Sequence, residues 1–317
     1  MSHKPKSSAF KRATAPFLKA LSSAGNSVYP ERNTTPLLIS GSPRGGTTWL
    51  AETIAKVYQS ERMLWEPLQD GNIAKDGLGL SKRPFIDEQT ATPEIDAFFQ
   101  SLLQAKQANA HLLRLRKYPK NALSLLRNQR LLIKFVRGNG VVGYLRRRYG
   151  IPKPLVILRH PCAVVASQLR MGQWEDHPHI DPGLIKRKPE LADIIDYQVP
   201  LAERLAMTWG GDVLAAKENA ADVHIVFYED LVLNGAEALR PAFASWGWEG
   251  LPASLHELMS QPSSTTHDWA DLDSVEGKLG RWKNELDNET VDRILYVAHC
   301  MGVQDYSYNG FPDKTPR

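Results

Sequence analysis

Between Pro36 and Leu50 the chain reads Pro-Leu-Leu-Ile-Ser-Gly-Ser-Pro-Arg-Gly-Gly-Thr-Thr-Trp-Leu. That is an apolar strand, a glycine-rich turn and the first turn of a helix, and no other stretch restricts the fold as much. Gly41 and Gly46 stand five apart and Thr47 and Thr48 follow, close to the phosphate-cradling pattern G-x4-G-K-[ST]. The lysine of that pattern is missing: Thr47 holds its place, and Arg44 is the cation of the loop. A helix start offers unpaired N–H groups and a partial positive charge. Gly45 and Gly46 let the backbone come close to a ligand. Thr47 and Thr48 add hydroxyls, and Arg44 adds a planar donor fork. The loop reads as a grip on a nucleotide phosphate that lacks the group reaching β- and γ-phosphates. This points away from ATP hydrolysis and toward a nucleotide with a short 5′ anionic tail.

Four short apolar runs look like buried parallel strands: 37–40, 131–136, 155–159 and 224–228. Helical patterns separate them at 47–58, 163–171, 201–219, 236–246 and 288–301. Strands alternating with helices predict an α/β fold, a three-layer parallel sheet with flanking helices of the P-loop NTPase-like kind. Ligands of such sheets bind beyond the C-terminal strand ends. Residues 36–310 are expected to form one domain. Two inserts, near 69–128 (with a helical stretch at 95–103) and 172–200, are expected as surface excursions that roof a pocket on the acceptor side. Residues 1–35 are expected to be a basic, disordered tail with a short helix around 15–21.

Charge supports this division. The chain of 317 residues carries a net +4. Lys4, Lys6, Lys11, Arg12 and Lys19 put +5 into residues 1–30, where there is no acid, and leave the rest near −1. A near-neutral body argues against nucleic acid as partner. Cys162 and Cys300 are isolated thiols, which suit a reducing, cytoplasmic setting and offer no metal cluster. No apolar run approaches the length of a membrane span. The acid-free, Ser-rich start is similar to an organelle transit peptide, although arginine is scarce in it.

A second anion site is readable at Leu155-Val-Ile-Leu-Arg-His-Pro161. Arg159 ends the strand, and Ser167 lies eight residues on, two turns up the next helix. A cation and a hydroxyl so placed can converge on one phosphate; alone, they could equally be a surface salt bridge and a solvent-facing serine.

With these residues in hand, the chain resembles the sulfotransferases that use 3′-phosphoadenosine-5′-phosphosulfate. The resemblance runs in family order through Gly41–Trp49, Arg159 with Ser167, Tyr228-Glu229-Asp230, and Gly280-Arg-Trp-Lys-Asn-Glu285, spanning about residues 36–305. It implies that Arg44, Gly45, Gly46, Thr47 and Thr48 hold the 5′-phosphosulfate and that Trp49 stacks on or flanks adenine. It further implies that Arg159 and Ser167 bind the 3′-phosphate, that Tyr228 touches the adenine region, and that Arg281, Trp282 and Lys283 close over the nucleotide. Trp49, Tyr228 and Trp282 could instead be core aromatics, and Lys283 an exposed charge where a helix begins.

Two departures from the family pattern matter. Many cytosolic members carry lysine where this chain has Arg44; carbohydrate and tyrosyl-protein sulfotransferases are similar to it in using arginine there. Cytosolic members also carry an Arg-Lys-Gly run before the closing Trp-Lys, where this chain has Val275, Glu276 and Gly277, with Lys278 as a substitute.

Sulfuryl transfer needs a base for the acceptor hydroxyl and positive charge on the departing phosphate oxygen. Cytosolic members use a histidine after a strand. Here that strand ends Ile133-Lys-Phe-Val-Arg137, with Val136 at the histidine's place. Glu66, in Leu64-Trp-Glu-Pro67 and nineteen residues beyond Thr47, is the candidate base. A short strand after the first helix would return it to the same sheet edge. Heparan-sulfate and tyrosyl-protein sulfotransferases look similar, with a glutamate at about this spacing. Desolvation beside Trp65 and Pro67 would help it accept a proton; otherwise it is an ordinary ion-paired glutamate. Lys134 and Arg44 would stabilise the leaving phosphate, and Lys134 could instead be a strand-end ion pair. The donor is a co-substrate, no metal is expected, and the acceptor is a hydroxyl on a carbohydrate or another alcohol. Asp176, His177, His179 and Asp181 fit no closed metal-ligand set. A phosphate-loop kinase or ATPase, and a member that binds nucleotide without chemistry, are the alternatives.

Overall fold

The computed structural model describes residues 5–30, 35–57, 62–69, 77–172, 178–264 and 274–313. Five strands form one sheet: β1 (Leu37–Gly41), β2 (Met63–Trp65), β3 (Leu132–Lys134), β4 (Leu155–Leu158) and β5 (His224–Phe227). Their order is β2-β3-β1-β4-β5, and every pairing is parallel. The strand expected after the first helix exists as β2. The other four strands fall where the apolar runs lie, each trimmed or shifted by a residue or two at its ends.

Thirteen α-helices are present among the described residues: α1 (Pro5–Val28), α2 (Thr47–Val57), α3 (Pro93–Leu103), α4 (Val142–Tyr149), α5 (Pro161–Met171), α6 (Pro182–Arg187), α7 (Leu191–Ile194), α8 (Leu201–Lys217), α9 (Tyr228–Asn234), α10 (Arg240–Ser245), α11 (Ser254–Ser260), α12 (Val275–Gly280) and α13 (Asn288–Cys300). The expected helix over 236–246 divides into a 3₁₀ segment, Gly235–Leu239, and α10. Pro241 accounts for the break, since it lacks an N–H and crowds the carbonyl four residues back.

Side chains alternate across the strands and build two cores. Leu37, Ile39, Trp65, Leu155 and Ile157 face one layer with Leu50 and Ile54 of α2, Phe243 of α10 and Leu255 of α11. Leu38, Leu64, Ile133, Val156 and Leu158 face the other, with Val164 and Val165 of α5, Trp209 and Val213 of α8, and Ile294 of α13. Both faces are covered, so the strands are apolar throughout, as parallel strands between two helical layers must be.

Two expectations about the periphery are corrected. The segment expected to be a disordered tail holds α1, of 24 residues, and the short helix expected at 15–21 is its middle. Leu18 is fully buried, Ser22 Oγ donates to the Ala105 carbonyl at 3.1 Å, and Asn26 Nδ2 to the Gln104 carbonyl at 3.1 Å. Positions 18, 22 and 25 repeat at helical spacing and seal one face, a pattern the local charge obscured. The 69–128 insert is no mere surface excursion. Ile95, Phe98, Phe99 and Leu102 put one apolar stripe of α3 into the larger core, behind the Thr92 cap that accepts from the Ile95 N–H. In the 172–200 insert, Leu184 and Leu191 are buried too. No helix among the described residues is long and apolar enough to cross a membrane.

The chain leaves β1 toward β2 on one side and leaves β4 toward β5 on the other. The β1/β4 boundary is therefore the topological switch point, where a crevice opens beyond the strand ends. The β1–α2 turn and the β4–α5 turn face each other across it.

Candidate active site

The crevice is a cleft of about 550 Å³. Arg44, Gly46, Thr47, Thr48, Trp49, Arg159, Ser167, Tyr228, Arg281 and Trp282 line it, so ten of the expected donor-binding residues converge there. Two do not. Gly45 is buried within the turn, its N–H donating to the Ser42 carbonyl at 2.9 Å. Lys283 is exposed, with Nζ 5.5 Å from the centre of the Trp282 ring.

The first wall is the β1–α2 turn. Arg44 and Gly46 take left-handed backbone angles, φ 69° and 94°, which a non-glycine residue adopts at a cost of about 1–3 kcal/mol. Gly46 has no substitute: a Cβ there would lie 2.8 Å from Tyr228 Cδ2. The N–H groups of Thr47, Thr48 and Trp49 belong to the first turn of α2, which has no earlier carbonyls to bond; such a helix start favours anions, and all three residues line the cleft.

The second wall is α5. The sequence assigned Arg44 to one phosphate and Ser167 to another; the structure joins them, with Arg44 Nε donating to Ser167 Oγ at 2.9 Å. A half-buried guanidinium needs an acceptor, and the hydroxyl supplies it. Burial, then the charges of Arg159 and Arg170, lower the Arg44 pKa from its ordinary value. Arg159 Nη1 donates to the Arg44 carbonyl at 3.2 Å and Nη2 to the Lys278 carbonyl at 3.3 Å. Its guanidinium carbon lies 4.2 Å from the centre of the Tyr228 ring, a cation–π contact. Tyr228 meets Trp49 edge to face at 5.8 Å, and Trp49 Nε1 donates to the Met259 carbonyl at 3.2 Å. The two rings make a half-buried aromatic corner beside the arginines.

Trp282 belongs to both readings. It is buried and stacks on His160 with ring centres 4.6 Å apart, yet it forms part of the cleft wall. His160 Nδ1 accepts from the Cys162 N–H at 3.2 Å, and its Nε2 lies 2.8 Å from the Ser307 carbonyl. Burial lowers its pKa to about 4, so the imidazole is neutral at physiological pH. Behind it, Glu229 accepts from the His160 N–H at 2.9 Å and from the Tyr306 hydroxyl at 3.2 Å. Burial raises the Glu229 pKa. Glu229, the middle residue of the third motif, thus braces the strand end that carries Arg159.

The candidate base and its lysine form a separate place. Trp65, Lys134 and Ile39 lie level across β2, β3 and β1, so Glu66 stands two strands from the loop, about 10 Å away at ordinary strand spacing. The Glu66 N–H donates to the Lys134 carbonyl at 2.7 Å, and Lys134 Nζ donates to Glu66 Oε1 at 2.5 Å. Burial falls on the lysine: its side chain is 2% exposed, against 25% for Glu66. Desolvation lowers the Lys134 pKa, and Glu66 opposes that shift. Glu66 is left-handed at φ 50°, a second strained residue at a proposed site. Arg114 lies 4.4 Å over the Trp65 ring and 3.9 Å from Glu52 of α2. Glu52 in turn accepts from the Ser264 N–H at 2.9 Å, next to Ser263 of the cleft wall. This chain of contacts ties the pair to the cleft.

Sequence reasoning missed Arg170, Glu285 and His256, which also line the cleft. Arg170 was within reach: it lies three residues beyond Ser167, on the same helix face. Glu285 closes the fourth motif and was read only as its end. Asp176 and His177 lie outside the described residues. His179 Nε2 is 3.5 Å from Lys82 Nζ, and Asp181 caps α6 through the Gly183 N–H. Among the described residues no group of three or more His, Cys, Asp or Glu side chains is placed to hold a metal.

No family model matches the chain, and no curated protein matches it in sequence. Solved structures do. Mouse sulfotransferase SULT7A1 complexed with PAP is similar over 90% of this chain and 95% of that one, at 15% identity and a TM-score of 0.42. The sulfotransferase domain from the Synechococcus PCC 7002 olefin synthase is similar over 86% and 95%, at 18% identity and a TM-score of 0.44. That of the curacin biosynthetic pathway is similar over 83% and 96%, at 16% identity and a TM-score of 0.42. These are sulfotransferases, the family that the four ordered motifs resemble. At such identities and TM-scores, what the cleft does rests on its residues.

Proposed function

We propose that the chain is a sulfotransferase that moves a sulfuryl group from 3′-phosphoadenosine-5′-phosphosulfate to an acceptor hydroxyl, on a carbohydrate or another alcohol. The observation that carries this reading is one cleft with two anion sites on facing turns. The helix start at Thr47 and Thr48 is one, and Arg159 with Ser167 is the other, with Arg44 between them. A nucleotide phosphorylated at both the 3′ and 5′ positions has the matching charges, and the Trp49–Tyr228 corner offers its base an apolar surface. A cleft of about 550 Å³ falls in the size range of nucleotide sites.

In this mechanism Glu66 takes the proton of the acceptor hydroxyl as its oxygen bonds to sulfur. The bond from sulfur to the bridging phosphate oxygen breaks in line, and the electron pair stays on the phosphate. Arg44, Lys134 and the first-turn N–H groups of α2 stabilise that charge. The Glu66–Lys134 pair fixes the carboxylate in place, and Glu66 opposes the downward shift that burial imposes on the lysine. Thr47, standing where a phosphate-loop lysine would, disfavours ATP hydrolysis. The donor brings its own leaving group, so this chemistry calls for no metal.

Isothermal titration with adenosine 3′,5′-bisphosphate tests the cleft, and sulfate transfer from the labelled donor to a panel of sugars, aliphatic alcohols and phenols tests the chemistry. Binding with transfer is the expected result. Absence of binding overturns the reading, binding without transfer leaves a nucleotide-binding protein, and magnesium-dependent ATP turnover would favour the kinase class instead.

A further inference from the structure

The cleft holds five cationic side chains, Arg44, Arg159, Arg170, Lys278 and Arg281, and a single acid among its described lining residues, Glu285. Arg170 lies one turn beyond Ser167 on α5. Its Nη2 is 3.5 Å from the Ser167 Oγ that also accepts from Arg44. Its Nη1 pairs with Glu285 Oε1, and the same oxygen accepts from Arg281 Nε at 2.7 Å. One carboxylate oxygen is thus shared by two guanidinium groups. Carboxylate and phosphate oxygens present equivalent acceptors to such groups, so Glu285 occupies a position suited to an anionic ligand. Ahead of Lys278 and Arg281 the closing segment carries no cation. Where a related loop would carry Arg-Lys-Gly, this chain has Val275, Glu276 and Gly277, and α12 brings only Lys278.

We infer that Arg170 is the specificity-determining residue for the nucleotide's 3′-phosphate, supplying from α5 the charge that positions 275–277 lack, with Glu285 as the built-in competitor that the phosphate displaces. This rests on the proposed donor. The three arginines around Ser167 already feel one another, since the charges of Arg159 and Arg170 act on Arg44. Such crowding of like charge is relieved by a dianion far better than by one carboxylate. Arg170 is also 35% exposed on its side chain, so its loss leaves the core intact.

Titration calorimetry of the full chain with adenosine 3′,5′-bisphosphate and with adenosine 5′-phosphate separates the possibilities. The wild type should prefer the bisphosphate. Arg170→Gln should weaken the bisphosphate by about 10- to 100-fold, the range for a hydrogen bond to a charged group, and leave the monophosphate within about twofold. Glu285→Gln should tighten the bisphosphate several-fold and leave the monophosphate unchanged; it reads the site independently if Arg170→Gln folds poorly. An unchanged preference in Arg170→Gln, or weaker bisphosphate binding in Glu285→Gln, overturns this inference while the donor reading stands. A wild type that does not distinguish the two nucleotides overturns both.

Discussion

The proposed donor cleft and the Glu66–Lys134 pair treat charge in opposite ways. In the cleft five cations face one carboxylate across an open crevice, and the Arg44 guanidinium is held close to Arg159 and Arg170. At the pair, one buried ammonium meets one carboxylate at 2.5 Å, and the charges balance without a ligand. An unbalanced cluster stores repulsion that a bound anion relieves, as a binding site requires. A balanced pair has no need of a ligand; what it offers is a carboxylate held at a fixed place, as a base requires. The same residue types serve both, and the difference lies in the count of opposite charges and in the burial.

The largest effect should come from removing the proposed base. Glu66→Gln should lower turnover about a hundred- to ten-thousand-fold, the range of general-base contributions, while titration with adenosine 3′,5′-bisphosphate stays near wild type. Turnover that survives would move the base elsewhere and dissolve the division between the two places.

Next is the support of the cleft wall. His160 is neutral when folded, with a pKa of about 4 against an ordinary 6.5, so between those values the unfolded chain binds more protons. Stability is therefore full above pH 6.5, declines as pH falls, and has lost on the order of 3 kcal/mol by pH 4 from this group alone. Urea unfolding across that range should show the slope, and His160→Gln should flatten it. An unchanged slope in the variant would assign the acid sensitivity to other groups, such as the carboxylates.

Arg159→Ala should weaken adenosine 3′,5′-bisphosphate about 10- to 100-fold in the same calorimetric experiment, with a steeper loss at low than at high salt because the cleft is open to screening. Binding that survives intact would mean the cleft's charge excess is incidental. The smallest effect is assigned to Lys283→Ala. The side chain is exposed and does not line the cleft, so affinity should hold within about twofold. A large loss would show that the 281–284 turn closes further over the nucleotide.

The strands and the helix that follows the glycine turn were legible because both signals are local. A buried parallel strand is apolar throughout, and a phosphate-type turn needs glycine at fixed offsets whatever surrounds it. The same holds for Arg159 and Ser167, whose spacing of eight sets a strand end and a helix face. Other features were hidden for equally physical reasons. Leu18, Ser22 and Gly25 mark a sealed face of α1, but a run of lysines masked it and its partner lies some eighty residues away at Ala105. The α3 stripe looked like a surface insert because burial depends on what the rest of the chain leaves uncovered. Arg170 and Glu285 are 115 residues apart, and no spacing rule relates them.

By itself, the sequence determined an α/β sheet with a glycine turn leading into a helix start, and it placed Arg159 and Ser167 at a strand end and on the next helix, since backbone sterics, strand burial and helix periodicity act within a few residues. Only the tertiary structure decided that the two sites share one cleft, because the chain reverses its winding at the β1/β4 boundary. It alone brought Arg44 onto Ser167 and set Glu285 between Arg170 and Arg281. It also separated Glu66 from the loop by two strands, with Lys134 at its side. Those relations depend on strand order and side-chain packing, which no local pattern encodes.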